Sequence, residues 1–203
     1  MDIFWSTIAG YNSSTWFLQL IIVIAGVFLT GLLLKKPTPR VKLAMKLYLL
    51  FLYLWIAVVY YYIYCAERSY NGTMALFWGT MAVIWIWDTV TGYTTLERSR
   101  KYDVLAYILL AMPFVYPLLS LVRGLTFPGI TSPVMPCSVV VFTIGLLLLF
   151  ARKVNMFLVL FLCHWSLIGL SKTYFFHIPE DFLLASASAP ALYLFFKEYF
   201  LNN

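Results

Sequence analysis

Seven long apolar stretches divide this 203-residue chain, and six of them contain no Asp, Glu, Lys or Arg. A helix rising about 1.5 Å per residue needs about 20 apolar residues to cross a bilayer core about 30 Å thick. Apolar side chains occur all round these stretches without a period of two, which favours helices over barrel strands. The pattern predicts an all-α polytopic membrane protein with seven transmembrane helices, over Trp16–Leu34, Leu47–Tyr64, Met74–Thr91, Val104–Val122, Pro136–Ala151, Val154–Leu170 and Phe182–Phe196.

Composition excludes the other broad classes. The chain is 63% hydrophobic and only 11% charged, so its polar residues cannot cover the surface of a soluble domain of this size. An aromatic content of 19% also excludes intrinsic disorder, because disordered chains are poor in aromatic residues and rich in charge. We therefore expect a single transmembrane domain, residues 1–203, whose main partner is the lipid bilayer.

The distribution of basic residues predicts the orientation. Eleven of the 14 Lys and Arg residues follow the first, third, fifth and seventh stretches, and only Arg68, Arg123 and Lys172 lie on the opposite side. Basic loops stay in the cytoplasm, so the N-terminus is predicted outside and the C-terminus inside a bacterial cytoplasmic membrane. Before the first span, Phe4, Trp5, Ile8 and Tyr11 have helical spacing and predict an amphipathic segment at the outer interface. The net charge of +6 is a topology signal, and no nucleic-acid partner is expected.

Two pairs of segments resemble each other in the same order. Val27–Leu34 (VFLTGLLL) resembles Val141–Leu148 (VFTIGLLL), and Leu50–Trp55 (LFLYLW) resembles Leu160–Trp165 (LFLCHW). Such similarity suggests a parallel repeat of three helices, as in duplicated transporters. The predicted repeats cover residues 16–92 and 136–200, and residues 104–122 form the linker helix. This 3+1+3 architecture is similar to that of SWEET sugar carriers and of PnuC-type vitamin-precursor carriers.

Two further motifs carry a resemblance to a family. The opening FWSTIAGYN of Phe4–Asn12, followed by Trp16, and the stretch from Pro136–Cys137 to Phe142–Leu147 resemble a bacterial family of seven-helix membrane proteins of unknown function. Members of that family are often automatically labelled major-facilitator permeases. The resemblance implies no site residue, and the permease label conflicts with the roughly twelve spans of major-facilitator carriers.

Asp88 is the only acidic residue within the seven predicted spans. An ionised group at the bilayer centre costs at least about 2.5–3.5 kcal/mol, so Asp88 is a candidate for binding a proton, a cation or a substrate amine. A structural interpretation stays open, in which the carboxylate is capped by Thr hydroxyls or paired with Arg98 or Arg100 at the inner interface.

His164 lies near the middle of the sixth stretch, between Cys163 and Trp165. Its imidazole could hydrogen-bond a substrate or relay protons, or it could fix packing against a neighbouring helix. Aromatic walls suit a planar or apolar ligand. The predicted substrate site therefore combines Asp88 and His164 with Trp55, Trp85 and Trp165.

Metal and cofactor sites are poorly supported. His177, Glu180 and Asp181 precede the seventh stretch as weak metal candidates, but Pro179 followed by two acids is typical of a helix start. No catalytic motif is present, so neither a cofactor nor an enzyme activity is expected. Cys65 and Cys137 both lie near the predicted outer boundary, which leaves a disulfide between them open.

Three functional hypotheses follow. The first is a transporter or permease for an unidentified small solute. The second is a structural or accessory subunit of a membrane complex, and the third is a membrane-embedded enzyme or cofactor-binding protein. Assembly with further copies of the chain stays open under each hypothesis.

Overall fold

The computed structural model describes residues 2–176 and 179–201, which form seven helices. Seven apolar stretches predicted seven helices, and this number is confirmed for the described residues. The helices are α1 (Asp2–Lys35), α2 (Pro39–Trp55, continuing without a break as the π-helical segment Ile56–Tyr64), α3 (Asn71–Thr91), α4 (Asp103–Val122), α5 (Pro136–Phe150), α6 (Met156–Phe176) and α7 (Pro179–Leu201).

Among the described residues, four helices are long and apolar enough to cross a membrane: Ile3–Lys35, Pro39–Tyr64, Asn71–Thr91 and Asp103–Val122. Their outward faces carry large hydrophobic side chains, and Phe28 of α1, for example, is 63% exposed. A surface of this kind needs lipid rather than water as its solvent. These four helices therefore indicate a membrane protein. Helix α5 (Pro136–Phe150) is shorter, and so is Met156–Leu170, the part of α6 whose side chains the structure describes.

Helix α1 differs from its prediction. The sequence predicts an interfacial segment that ends near Asn12, whereas the structure has one helix of 34 residues from Asp2 to Lys35. The hydroxyls of Ser13 and Thr15 donate to the carbonyls of Ala9 and Tyr11, one turn back, so the polar residues do not end the helix. At about 1.5 Å per residue, α1 is about 50 Å long and exceeds the thickness of a bilayer core.

Helix α5 lies at the centre of the molecule. Every residue of it is buried except Phe142, which is partly buried. It packs most extensively against α4, where a Cβ on Gly145 would lie 2.9 Å from the backbone nitrogen of Leu110. The 15 residues of α5 span only about 22 Å. A short helix is acceptable here because its irregular ends are surrounded by protein rather than by lipid.

A two-stranded antiparallel ribbon joins two of the predicted inner loops. Strand β1 (Thr95–Leu96) follows α3 and pairs with strand β2 (Ala151–Lys153), which follows α5. The all-α prediction missed this ribbon, because a strand of two or three residues is too short to show a period in the sequence. Further along the first of these loops, Lys101 pairs with Glu198 of α7, and hydrogen bonding to that carboxylate raises the pKa of Lys101.

The proposed repeat stays a prediction, and its two halves pack differently. In the second triplet α5 packs against α7, whereas α1 and α3 are not a closely packed pair in the described structure. The two glycines of the repeated motif also differ. Gly145 is pressed against α4, and a Cβ on Gly31 would meet nothing within 4 Å.

None of the three cysteines, which all lie within the described residues, forms a disulfide. Cys65 and Cys137 are buried but not bonded to each other, so the open question of a disulfide between them is answered negatively in this structure.

Candidate ligand-binding site

Asp88 is completely buried near the end of α3, and it forms an ion pair with a lysine of α2. Its Oδ2 lies 2.9 Å from Nζ of Lys46, which is itself only 7% exposed. Its Oδ1 accepts hydrogen bonds from the backbone N–H and the hydroxyl of Thr94. Pairing with Arg98 or Arg100 was the sequence-based alternative, but the partner is Lys46. Arg98 pairs instead with Asp103, at 2.6 Å.

The surroundings of Asp88 connect several elements. Gly92 ends α3 in the left-handed conformation, at φ +65°, and its N–H donates to the carbonyl oxygen of Asp88. The Thr94 hydroxyl in turn accepts from the backbone N–H of Asn155, just before α6. Both carboxylate oxygens are thus used to hold α2, α3 and the start of α6 together. The geometry fits a structural ion pair more closely than a substrate site.

His164, unlike the buried Asp88, has an exposed side chain on the outward face of α6. Its ring is 5.5 Å from the ring of Phe77, at 35° between the planes. No hydrogen bond of the imidazole is recorded among the described residues. The structure therefore does not bring His164 and Asp88 to a common cavity.

Trp85 and Trp165 belong to one buried aromatic cluster that also contains Tyr53 and Trp78. The centroid of Trp78 lies 5.0 Å from that of Trp165 and 5.1 Å from that of Tyr53, whose ring is 6.4 Å from Trp85. The two tryptophans and Tyr53 are at most 1% exposed. The rings pack against one another, and the cluster forms the core between α2, α3 and α6 rather than the wall of an open site.

Trp55 lies apart from this cluster. Its indole Nε1 donates to the hydroxyl of Tyr11, at 2.9 Å, and that hydroxyl donates to the carbonyl of Val134. Trp55 thereby connects α2 with α1 and with the connection between α4 and α5. Of the five predicted site residues, the structure brings only Trp85 and Trp165 into one cluster.

The weak metal candidates contribute no described site. His177 lies outside the described residues, and the side chains of Glu180 and Asp181 are likewise not described. Among the described residues, no three His, Cys, Asp or Glu side chains form a group that could hold a metal ion.

An apolar cavity of about 460 Å³ lies between α1 and α4. Helix α1 packs against α2 but not closely against α4, and the space between them remains open. The cavity is lined by Val23, Gly26, Val27, Thr30, Gly31 and Leu34 of α1, Tyr48 and Leu52 of α2, Tyr107, Leu110, Ala111, Pro113 and Phe114 of α4, Pro133 and Val134 of the connection, and Val139 and Phe142 of α5. None of the five predicted site residues is in this lining.

The hydroxyls in the cavity wall mostly turn away from it toward backbone carbonyls. Thr30 donates to the carbonyl of Gly26, at 2.7 Å, and Tyr48 donates to that of Ile22, at 2.9 Å. Val27, Tyr107 and Phe114 at the rim are each more than 40% exposed on the outside of the helix bundle. The cavity therefore offers an apolar surface that opens sideways, between two helices.

The connection between α4 and α5 borders the cavity through Pro133 and Val134, and it is bound to α1. The side-chain amide of Asn12 donates to the carbonyls of Pro128 and Ile130, at 2.8 and 2.7 Å. Gln19 donates to Thr15 and accepts from Ser132. These buried polar groups hold residues 128–134 against α1.

The sequence shows the small residues of the cavity wall but not the cavity itself. Gly26, Thr30 and Gly31 form a small-residue patch of the kind that predicts close helix packing. Tyr48 fills the space above Gly26, where an added Cβ would overlap the hydroxyl oxygen of Tyr48. A Cβ on Gly31 would meet no described atom within 4 Å. The predicted site consists of polar and aromatic residues, whereas the cavity is lined mainly by small and apolar residues.

Comparison with known proteins gives a family but no activity. No curated protein and no solved structure matches the chain. The architectural similarity to SWEET and PnuC-type carriers therefore receives no support, and neither does the major-facilitator label that the span number already opposed. The resemblance to a family of unknown function is confirmed over the whole chain, because the profile of one such family matches residues 1–203. The chain belongs to DUF6064, a family of unknown function.

Proposed function

We propose that this protein is a carrier in a bacterial cytoplasmic membrane that binds a small apolar or amphipathic solute in the cavity between α1 and α4. The observation that carries the proposal is the cavity itself, whose volume of about 460 Å³ lies within the range of about 300–1,000 Å³ typical of small-molecule sites. In this proposal all seven helices cross the membrane, with the N-terminus outside and the C-terminus inside.

The grouping of loops supports the alternation of the spans, and the distribution of basic residues supports the orientation. The β1–β2 ribbon, the Lys101–Glu198 pair and the Lys46–Asp88 pair connect elements at the end of the molecule predicted to be cytoplasmic. At the other end, Arg68 donates to the carbonyl of Phe4, and Asn12 binds the connection between α4 and α5. Alternating spans bring loops of the same side together in this way.

The chemistry of the walls supports an apolar solute. A hydrophilic solute loses its hydrogen bonds to water on entering, and it needs replacement partners in the site. The hydroxyls of Thr30 and Tyr48 already donate to backbone carbonyls, so the cavity offers few such partners. An apolar molecule dissolved in the bilayer reaches the same cavity sideways, between α1 and α4, without crossing water.

The attachment of α1 supports movement around the site. Transport requires the site to open to each side in turn, so one wall of the cavity must move. Among the described residues, α1 packs mainly on α2 and the π-helical segment. Its hydrogen bonds to the connection between α4 and α5 come from Tyr11, Asn12 and Gln19, before the part of α1 that lines the cavity. Helix α4 is instead fixed to the central helix at Gly145. We propose that α1 is the moving wall.

The Gly31→Leu variant tests binding in the cavity. A leucine at this position has room to extend into the empty space, so we expect it to occupy the site and to abolish binding without unfolding the protein. Binding is measured as the increase in melting temperature of the purified protein with a panel of apolar and amphipathic metabolites, followed by uptake into proteoliposomes.

Gly79→Leu is the matched control. Gly79 is also a partly buried helical glycine at which an added Cβ would meet nothing within 4 Å, but it belongs to α3 and lies outside the cavity lining. We expect Gly79→Leu to bind like the wild type. Equal loss of binding in both variants, or no stabilisation of the wild type by any apolar compound, would contradict the proposal.

A further inference from the structure

His164 places a polar group on the outward surface of the helix bundle. The residue lies near the middle of α6, and its side chain is exposed. In the proposed seven-span arrangement it faces the interior of the bilayer. Its one recorded ring neighbour among the described residues, Phe77, offers a π-face but no acceptor oxygen or nitrogen in its side chain.

Lipid tails cannot satisfy this side chain. A neutral imidazole has one N–H donor and one nitrogen acceptor, and neither finds a partner in hydrocarbon. Other outward polar side chains solve the problem locally, since Thr80 and Thr91 of α3 each donate to the carbonyl one turn back. The imidazole of His164 has no such bond among the described residues, so a partner on a facing helix would satisfy it.

The surface around His164 has the pattern of a helix contact. Phe157, Leu160, His164 and Leu167 follow one another at intervals of three, four and three residues, and the three apolar members are 57%, 50% and 64% exposed. This spacing places them on one stripe of α6. A stripe with a single hydrogen-bonding residue at its centre is typical of helices that associate within membranes.

We propose that this stripe of α6 binds the same stripe of a second copy of the chain, related by a twofold axis near His164. The imidazole is self-complementary, because the donor nitrogen of one copy can bind the acceptor nitrogen of the other. A twofold interface requires this self-complementarity, in which the same patch serves both partners. The proposal rests on the membrane arrangement of the proposed function but not on solute binding.

The dimer is measured by single-molecule photobleaching of the full-length, labelled protein in phosphatidylcholine vesicles at a series of protein densities. We expect wild type to populate dimers and His164→Leu to raise the dissociation constant about three- to thirty-fold, the range of an interhelical hydrogen bond in membranes. His164→Gln restores a donor and an acceptor, so dimers should persist. Monomers at every density, or equal dimerisation of His164→Leu and wild type, would overturn the proposal.

Cysteine cross-linking locates the interface and guards against misfolded variants. In full-length protein with the three natural cysteines changed to alanine, Leu160→Cys and Leu167→Cys should cross-link between copies. Leu118→Cys on α4 is the matched control, since Leu118 is 59% exposed but lies on a different helix, and it should not cross-link. Cross-linking that is equal at Leu118 and Leu167, or exclusive cross-linking to a different membrane protein, would refute a twofold contact through α6. Neither measurement depends on a solute, so a failed dimer and a failed carrier are distinguishable.

Discussion

At the scale of single residues, the two polar groups predicted to lie within spans have opposite environments. Asp88 is completely buried and bonded through both carboxylate oxygens, to Lys46 and to Thr94. His164 is exposed and has no hydrogen bond among the described residues. Sequence reasoning could place both in spans, but the direction in which each side chain points depends on the packing of three neighbouring helices.

Removal of Lys46 tests the structural role of Asp88. Lys46→Met keeps the length of the side chain but leaves a buried carboxylate without its cation, so we expect the free energy of unfolding to fall by about 3–5 kcal/mol. The loss is measured by unfolding the purified protein in increasing denaturing detergent. Combining Lys46→Met with Asp88→Asn removes the uncompensated charge and should recover part of this loss.

Lys42→Met provides the control for this series. Lys42 lies one turn earlier on α2 and is only partly buried, and it has no recorded partner among the described residues. Its substitution should change stability by less than about 0.5 kcal/mol. Equal effects of Lys42→Met and Lys46→Met would show that the ion pair does not hold the helices together.

At the scale of elements, the packing of α4 on α5 depends on the absence of a side chain at Gly145. A Cβ there would lie 2.9 Å from the backbone nitrogen of Leu110 and 3.0 Å from the carbonyl oxygen of Ala106. Backbone atoms cannot rotate aside as a flexible side chain can. The same small residue in the similar motif of α1, Gly31, opens onto the cavity instead.

Gly145→Ala should therefore destabilise the protein, by about 1–3 kcal/mol from overpacking. Gly79→Ala has the same change in a helix with free space, and it should stabilise the protein by up to about 1 kcal/mol, because alanine favours helix over glycine. Thermal unfolding in a mild detergent measures both. A stabilised Gly145→Ala variant would mean that α4 and α5 do not approach this closely.

At the scale of the whole molecule, the proposed topology groups the loops into two ends of the bundle. The basic loops after α1, α3 and α5 belong to one end of the bundle in the proposed topology, and two of these loops pair as strands β1 and β2. The connection between α4 and α5 belongs to the other end, where it contacts the N-terminal part of α1.

Accessibility of introduced cysteines tests this topology. Ser69→Cys and Lys36→Cys are both at exposed positions, on opposite sides of the membrane in the proposed arrangement. An impermeant maleimide added to intact spheroplasts, which lack an outer barrier, should label Ser69→Cys, and it should label Lys36→Cys only after the membrane is permeabilised. The reverse pattern would invert the orientation, and equal labelling would contradict a single topology.

The sequence alone determined the apolar class of the protein, the number of helices and most of their boundaries, because each of these follows from local composition and spacing. It predicted neither the continuity of α1 through Asn12 nor the β1–β2 ribbon, since local patterns do not show which polar groups find partners within the helix or across loops. The partner of Asp88 was also beyond it, because Lys46 is 42 residues away and counts in the sequence only as a basic loop residue. The cavity between α1 and α4 was decided by tertiary structure alone. A cavity is space that no side chain fills, and whether Gly31 is covered, as Gly26 is by Tyr48, depends on where the neighbouring helices lie.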